Sequence, residues 1–259
     1  MKKNWKALTA VAAAILTVAV AAILINLRPT PAPEPTPDAL QATGKFGFPT
    51  SDIKIGEGGT KKAVDGKTIT GYNGTCDSAA QAAANYAPLM RDVNPKTWAE
   101  QKKALAAVSK PGPWFETATL GGEIIAGAKD LPPGFDGGWY DKTEVAAGGM
   151  YRMASCEEKE RAVVQVFIGS LNARTNTAPL ASFGTVSLEL SWDGDWKITD
   201  ALVLNEDRDF SGKVKDKGPS GPNPEGPTGS IPTLTTALVD RLFDGKSKEG
   251  WIEYANAKR

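Results

Sequence analysis

The 259-residue chain contains no histidine. That removes Ser-His-Asp and Cys-His catalysis, imidazole acid–base work near neutral pH, and most zinc and non-haem iron sites. Only two cysteines are present, Cys76 and Cys156, too few on their own to hold a metal ion. No glycine-rich stretch has nucleotide-loop spacing; "LGGE", "AAGGM" and "GPSGPNPEGPTG" read as breaks and linkers. No serine stands in a G-x-S-x-G elbow. Nor is there a cationic excess: past residue 28 the count is 26 basic to 30 acidic residues, without the clustered basic face that nucleic acid requires. These absences point to a non-enzymatic chain, with no catalytic residue, cofactor or metal expected and no direct nucleic-acid partner.

What is present begins with an address. Residues 1–6 carry Lys2, Lys3 and Lys6, residues 7–27 are uncharged and apolar, and residues 28–43 open on "RPTPAPEPTPD". The 21 uncharged residues, as a helix, span roughly 30 Å, the hydrocarbon thickness of a bilayer. Lysine excess before the run, against Arg28 alone after it, sets residues 1–6 in the cytoplasm and exports the remainder. A signal peptide cleaved after Ala19-Val20-Ala21 is the competing reading. Apolar sequence continues through "ILINL" beyond that point, which favours a retained single-pass anchor in the cell membrane. Proline at nearly every second position then makes 28–43 an extended stalk. Export places both cysteines in oxidising conditions, so a Cys76–Cys156 disulfide is expected, joining the start of the first helix to a sheet.

Residues 44–71, rich in Gly, Lys and Thr, read as an extended lead-in. Asn73-Gly74 signals a turn; Asn73-Gly74-Thr75 also matches a glycosylation acceptor, but the turn accounts for it. Ser78 with Gln81 forms a capping-box pattern, and Ala79, Ala83, Tyr86 and Met90 recur at helical spacing until Pro88 kinks or ends the helix. Thr97 with Glu100 caps a second helix bearing Trp98, Leu105 and Val108. A third, "ETATLGGEIIAGAK", is expected to break at Gly121-Gly122. "EVAAGGMYRMASC" and "ERAVVQVFIGSLNAR" are apolar segments of strand length.

In "SLELSWDGDWKITD", residues 187–200, Val186, Leu188, Leu190 and Trp192 alternate with Ser187, Glu189 and Ser191, the pattern of a strand with one buried and one wet face. A two-residue turn would mix the faces of the next strand. A three-residue turn, Asp193-Gly194-Asp195, opposes Trp192 with Trp196 and Leu190 with Ile198. The tryptophans then form one cross-strand pair and the aspartates are turn formers, which makes the hairpin a scaffold rather than a site. Neither Asp193/Asp195 nor Glu206/Asp207/Asp209 follows a calcium-loop pattern. Residues 205–232 hold too much Gly and Pro for a core element, and 233–259 read as a short helix with Leu234, Leu238 and Leu242, stopped by Gly245, plus a tail.

Helices followed by antiparallel strands make residues 72–204 an expected α+β domain. That order, with the "VSLELSWDGDWKITDALV" hairpin, resembles the nuclear transport factor 2-like cone fold. More narrowly, "SAAQAAANYAPLM" followed by this hairpin resembles the exported domains of uncharacterised single-pass proteins of actinobacteria, their plasmids and phages. It is similar, more distantly, to TcpC-type conjugation proteins and the small bitopic subunit of type IV secretion systems. The resemblance implies an N-terminal transmembrane helix and a cone of helices packed on a curved antiparallel sheet. It also implies a membrane-anchored assembly component, in conjugative or related DNA-transfer machinery, that binds other membrane or envelope proteins or itself. The alternatives are a phage or plasmid envelope protein, or a ligand-binding or enzymatic cone in which Tyr86, Tyr140 or Tyr151 takes a proton from a carbon acid.

Overall fold

β-branched and aromatic runs organise the chain around two long strands. A computed structural model describes residues 42–91, 97–126, 140–173, 178–203, 210, 212, 214 and 216–259. Its strands, in chain order, are β1 (Lys61–Lys62), β2 (Ile69–Thr70), β3 (Tyr140–Glu144), β4 (Met150–Glu157), β5 (Arg161–Ala173), β6 (Leu180–Trp192), β7 (Trp196–Leu202), β8 (Gly221–Pro227) and β9 (Trp251–Glu253). The helices are α1 (Cys76–Tyr86), α2 (Trp98–Val108), α3 (Pro113–Ala126), α4 (Val145–Gly148) and α5 (Thr236–Leu242), with a 3-10 turn, Ala87–Met90, after α1. β5 and β6 pair antiparallel from Arg161 opposite Ser191 to Asn172 opposite Leu180. β3 and β4 share the outer edge of β5, β7 and β8 that of β6, and β9 lies beyond β4, which completes a seven-stranded antiparallel sheet. β1 and β2 form a separate two-stranded hairpin.

Both faces of the sheet are buried. Ala162, Val164, Val166 and Ile168 of β5 join the α1 alanines in one cluster, while Phe167 and Leu171 join Phe48, Leu238, Phe243 and Trp251 in another. The first needs small residues: Ala79, Ala80, Ala82, Ala83 and Ala84 are all buried, so the helix backbone approaches its neighbours closely. Every described residue of the three apolar clusters lies between Phe46 and Tyr254, within the compact unit Gln41–Arg259. That unit therefore carries its own core.

The expected α+β cone is overturned by this architecture. The described chain is mostly antiparallel sheet with few helices, the longest being the 14 residues of α3. The sheet outgrows the expectation because segments read as loop or tail supply strands: β8 arises inside 205–232 and β9 inside 233–259. β8 tolerates Pro222, Pro224 and Pro227 because it pairs along one side only, with β6, where a missing N–H costs least. The face of β6 expected to be wet is covered: Ser187 is buried, and its Oγ accepts from Gln165 Nε2 at 3.2 Å. The third helix does not break at Gly121-Gly122; glycine at 122 is where the Trp98 ring packs against the helix, and a methyl there would overlap it. The cap of α1 is Thr75, whose Oγ1 accepts from the Ser78 N–H at 3.2 Å, not Ser78 with Gln81. Thr97 makes no side-chain cap bond. Among the described residues no helix is long and apolar enough to cross a membrane; the expected span 7–27, the tail 1–6 and stalk residues 28–41 lie outside the described residues.

Candidate interaction surfaces

The residues singled out in the sequence gather at one end of the sheet and act as fasteners. Trp192 stands opposite Trp196 and Leu190 opposite Ile198, with the two indoles edge to face at 5.4 Å. Gly194 supplies the positive φ of the turn, +67°. Trp196 is fully buried and donates from Nε1 to Ser78 Oγ at 2.9 Å, which ties β7 to α1. Asp195 does more than form a turn. Its Oδ2 accepts from the Gly71 N–H at 2.7 Å, and its Oδ1 from the N–H groups of Tyr72 at 3.0 Å and Trp196 at 2.9 Å. Cys76, the first residue of α1, is disulfide-bonded to Cys156 on β4, with Cα atoms 5.9 Å apart. Beside it, Lys159 N–H donates to Gly74 O at 2.8 Å. Lead-in, first helix and sheet are thus joined at four points.

Of the tyrosines considered as bases, Tyr86 and Tyr151 are built into the core. Tyr86 donates from its hydroxyl to Trp196 O at 3.1 Å. Tyr151 packs on Tyr254 with ring centroids 4.8 Å apart. Burial, then nearby negative charge or a second phenol, pushes Tyr86 and Tyr254 well above the ordinary phenol value; Tyr151 is raised by burial and the Asp77 charge despite a bond with Ser51. Phenols raised in this way hold their protons near neutral pH. For Tyr140 only the backbone, in β3, is described; Glu206, Asp207 and Asp209 lie outside the described residues. Among the described residues no three metal-ligating side chains converge.

Among the described residues, a depression of about 400 Å³ lies between β8 and α5 beside Asn223 and Arg241, and two larger ones bear on function. A polar cleft of about 1010 Å³ is bordered by Asp52, Asp77, Glu158, Asn73 and Tyr151. Glu158 Oε1 accepts there from the Cys76 N–H at 3.4 Å, at the start of α1. The second is an apolar groove of about 720 Å³ between α2, α3, the 3-10 turn and β7, lined among the described residues by Leu89, Met90, Trp98, Leu105, Trp114 and Ala118. The close contact of Gly122 with Trp98 sets the approach of α2 and α3, and an exposed Lys102–Glu123 ion pair spans the same two helices. Along α3, Thr117, Leu120 and Ile124 follow at three- and four-residue spacing and all are exposed, Leu120 at 57% and Ile124 at 56%. The sequence reading missed this ridge because "ETATLGGEIIAGAK" shows no clean apolar face. Its only signal was two large aliphatics four residues apart with no matching stripe.

No protein-family model, curated protein or solved structure matches this chain.

Proposed function

We propose that this protein is a membrane-tethered, non-enzymatic interaction component. On this reading its exported domain receives an apolar helical segment of another membrane or envelope protein along α3 and the adjoining groove. The α3 ridge carries the proposal. Leu120 and Ile124 lie one turn apart and are two of the four exposed large hydrophobics among the described residues. An amphipathic helix presents anchors at i, i+4 and i+7, the spacing such a ridge and groove accept. Covering each aliphatic contributes roughly 1.5–3 kcal/mol before the cost of association. Support for the tether comes from the uncharged run 7–27 and the lysines preceding it. The DNA-transfer setting is implied by the resemblance alone, so the partner is defined here by its chemistry.

The test uses the full-length chain in detergent-solubilised envelope membranes, parent against L120D/I124D. Both positions are exposed, so the urea midpoint of residues 41–259 should hold while the co-purifying envelope protein is lost. A complex that survives both substitutions would refute the reading. A homodimer abolished by the same pair would replace the partner helix with a second copy of the chain.

A further inference from the structure

A second surface lies on the lead-in. In "GTKKAVDGKTITG", residues 59–71, β1 and β2 make a hairpin outside the main sheet. Lys61, Lys62 and Lys67 are exposed and form no ion pair among the described residues. Val64, at the turn, is 64% exposed. The hairpin's acid, Asp65, is half-buried and folds back onto its own turn: Oδ1 accepts from the N–H groups of Lys67 at 3.0 Å and Thr68 at 2.9 Å, and Oδ2 from Thr68 Oγ1 at 2.6 Å, with the Lys67 charge close enough to act on it. Its base is fixed, since Thr60 N–H donates to Gly71 O at 3.2 Å and Asp195 holds the N–H groups of Gly71 and Tyr72. The finger is therefore presented by an anchored stem. Its charge is local, because residues 42–259 carry 26 basic and 28 acidic side chains in all.

We infer that this hairpin is a contact surface for an anionic membrane, with the lysines meeting lipid phosphates and Val64 entering the headgroup boundary. Lysines flanking an aliphatic tip suit an interface that is charged outside and apolar just beneath. A two-stranded finger offers no groove for a peptide, and residues 59–71 contain no aromatic on which a base could stack. On the membrane-tethered reading, the 16 residues 28–43 would span at most about 50 Å at about 3 Å per residue, a tether short enough to keep the domain near the bilayer. Tethering raises the local lipid concentration, so weak binding suffices. The inference takes its setting from the membrane-tethered reading, but its test does not depend on it.

Residues 41–259 are sedimented with vesicles of phosphatidylglycerol and phosphatidylcholine, 1:1, and with phosphatidylcholine alone, at low salt. Binding is expected to the anionic vesicles only. Replacing all three lysines (K61A, K62A, K67A) should weaken it about a hundredfold, at about fivefold per lysine, and V64D should weaken it further. All these positions are exposed, and an unchanged urea midpoint checks the fold. No binding to anionic vesicles would overturn the inference, as would a triple variant that binds like the parent, or lysines that serve only an acidic protein. L120D/I124D should leave vesicle binding intact, which separates failure of this surface from failure of the α3 ridge.

Discussion

Asp195→Asn separates a carboxylate that clamps from one that merely turns the chain. Asparagine also favours turns and accepts positive φ, so a simple turn former would tolerate the change. Here, however, Oδ1 already serves Tyr72 and Trp196, while Oδ2 serves Gly71 at 2.7 Å. An asparagine that keeps the first two bonds must set its NH2 against the Gly71 N–H, donor facing donor. Hydrogen bonds to a charged group contribute roughly 1.5–3 kcal/mol. Asp195 is only half-buried, and with solvent screening the expected cost is about 1–2 kcal/mol. Asp195→Ala, which deserts all three N–H groups, should cost about 2–4 kcal/mol. Asp193 is exposed and makes no side-chain hydrogen bond among the described residues, so Asp193→Asn should stay within about 0.5 kcal/mol of the parent. Urea melts of residues 41–259, followed by tryptophan fluorescence and compared at equal slope, measure all three. If Asp195→Asn and Asp193→Asn coincide, the clamp is not energetically real.

Adjacent glycines of α3 should respond oppositely. Gly122→Ala drives a methyl into the Trp98 ring and should cost about 1–3 kcal/mol, whereas Gly121→Ala points into open space and should gain up to about 1 kcal/mol in a thermal melt. Removing the disulfide with C76S/C156S, across a sequence separation of 80, should cost about 2–4 kcal/mol by the same melt. With no histidine to titrate, stability should change little between about pH 6 and 9. Burial raises Tyr72, Tyr86, Tyr151 and Tyr254 above the free phenol, so the folded state holds protons that the unfolded state releases near pH 10. Stability from these groups is therefore complete below about pH 10 and falls above it, and the tyrosinate absorbance of these four should rise together with unfolding rather than before it.

The Trp192–Trp196 hairpin was legible because a period of two and an odd turn leave one register that keeps the apolar residues together. The additional residue at Thr199, where the β6–β7 register shifts, left no such mark. Alternation also misled. Ser187 and Glu189 read as wet, yet Ser187 bonds Gln165 under a cover that includes Asp216, and Glu189 pairs with Arg161 at 2.7 Å. A polar side chain looks the same in sequence whether water or a buried partner satisfies it. The covering segments come from far along the chain and were discounted for their Gly and Pro, residues that edge strands accept. Gly121-Gly122 misled similarly, since a glycine needed for a close ring contact reads as a helix breaker. Of the surfaces, the lysines of 44–71 were visible by composition; what they lacked was the hairpin that gathers them and the folding of Asp65 back onto Thr68.

Site-specific photocrosslinking tests the interaction reading most directly. A photoreactive phenylalanine analogue is placed at Leu120 in the full-length chain, in cells, with the same analogue at exposed Glu225 on β8 as control. An adduct from position 120 to an apolar helical segment of an integral envelope protein, mapped by mass spectrometry and missing from position 225, is the predicted result. Equal labelling from both positions, or none from 120 while the chain is folded and exported, would contradict it.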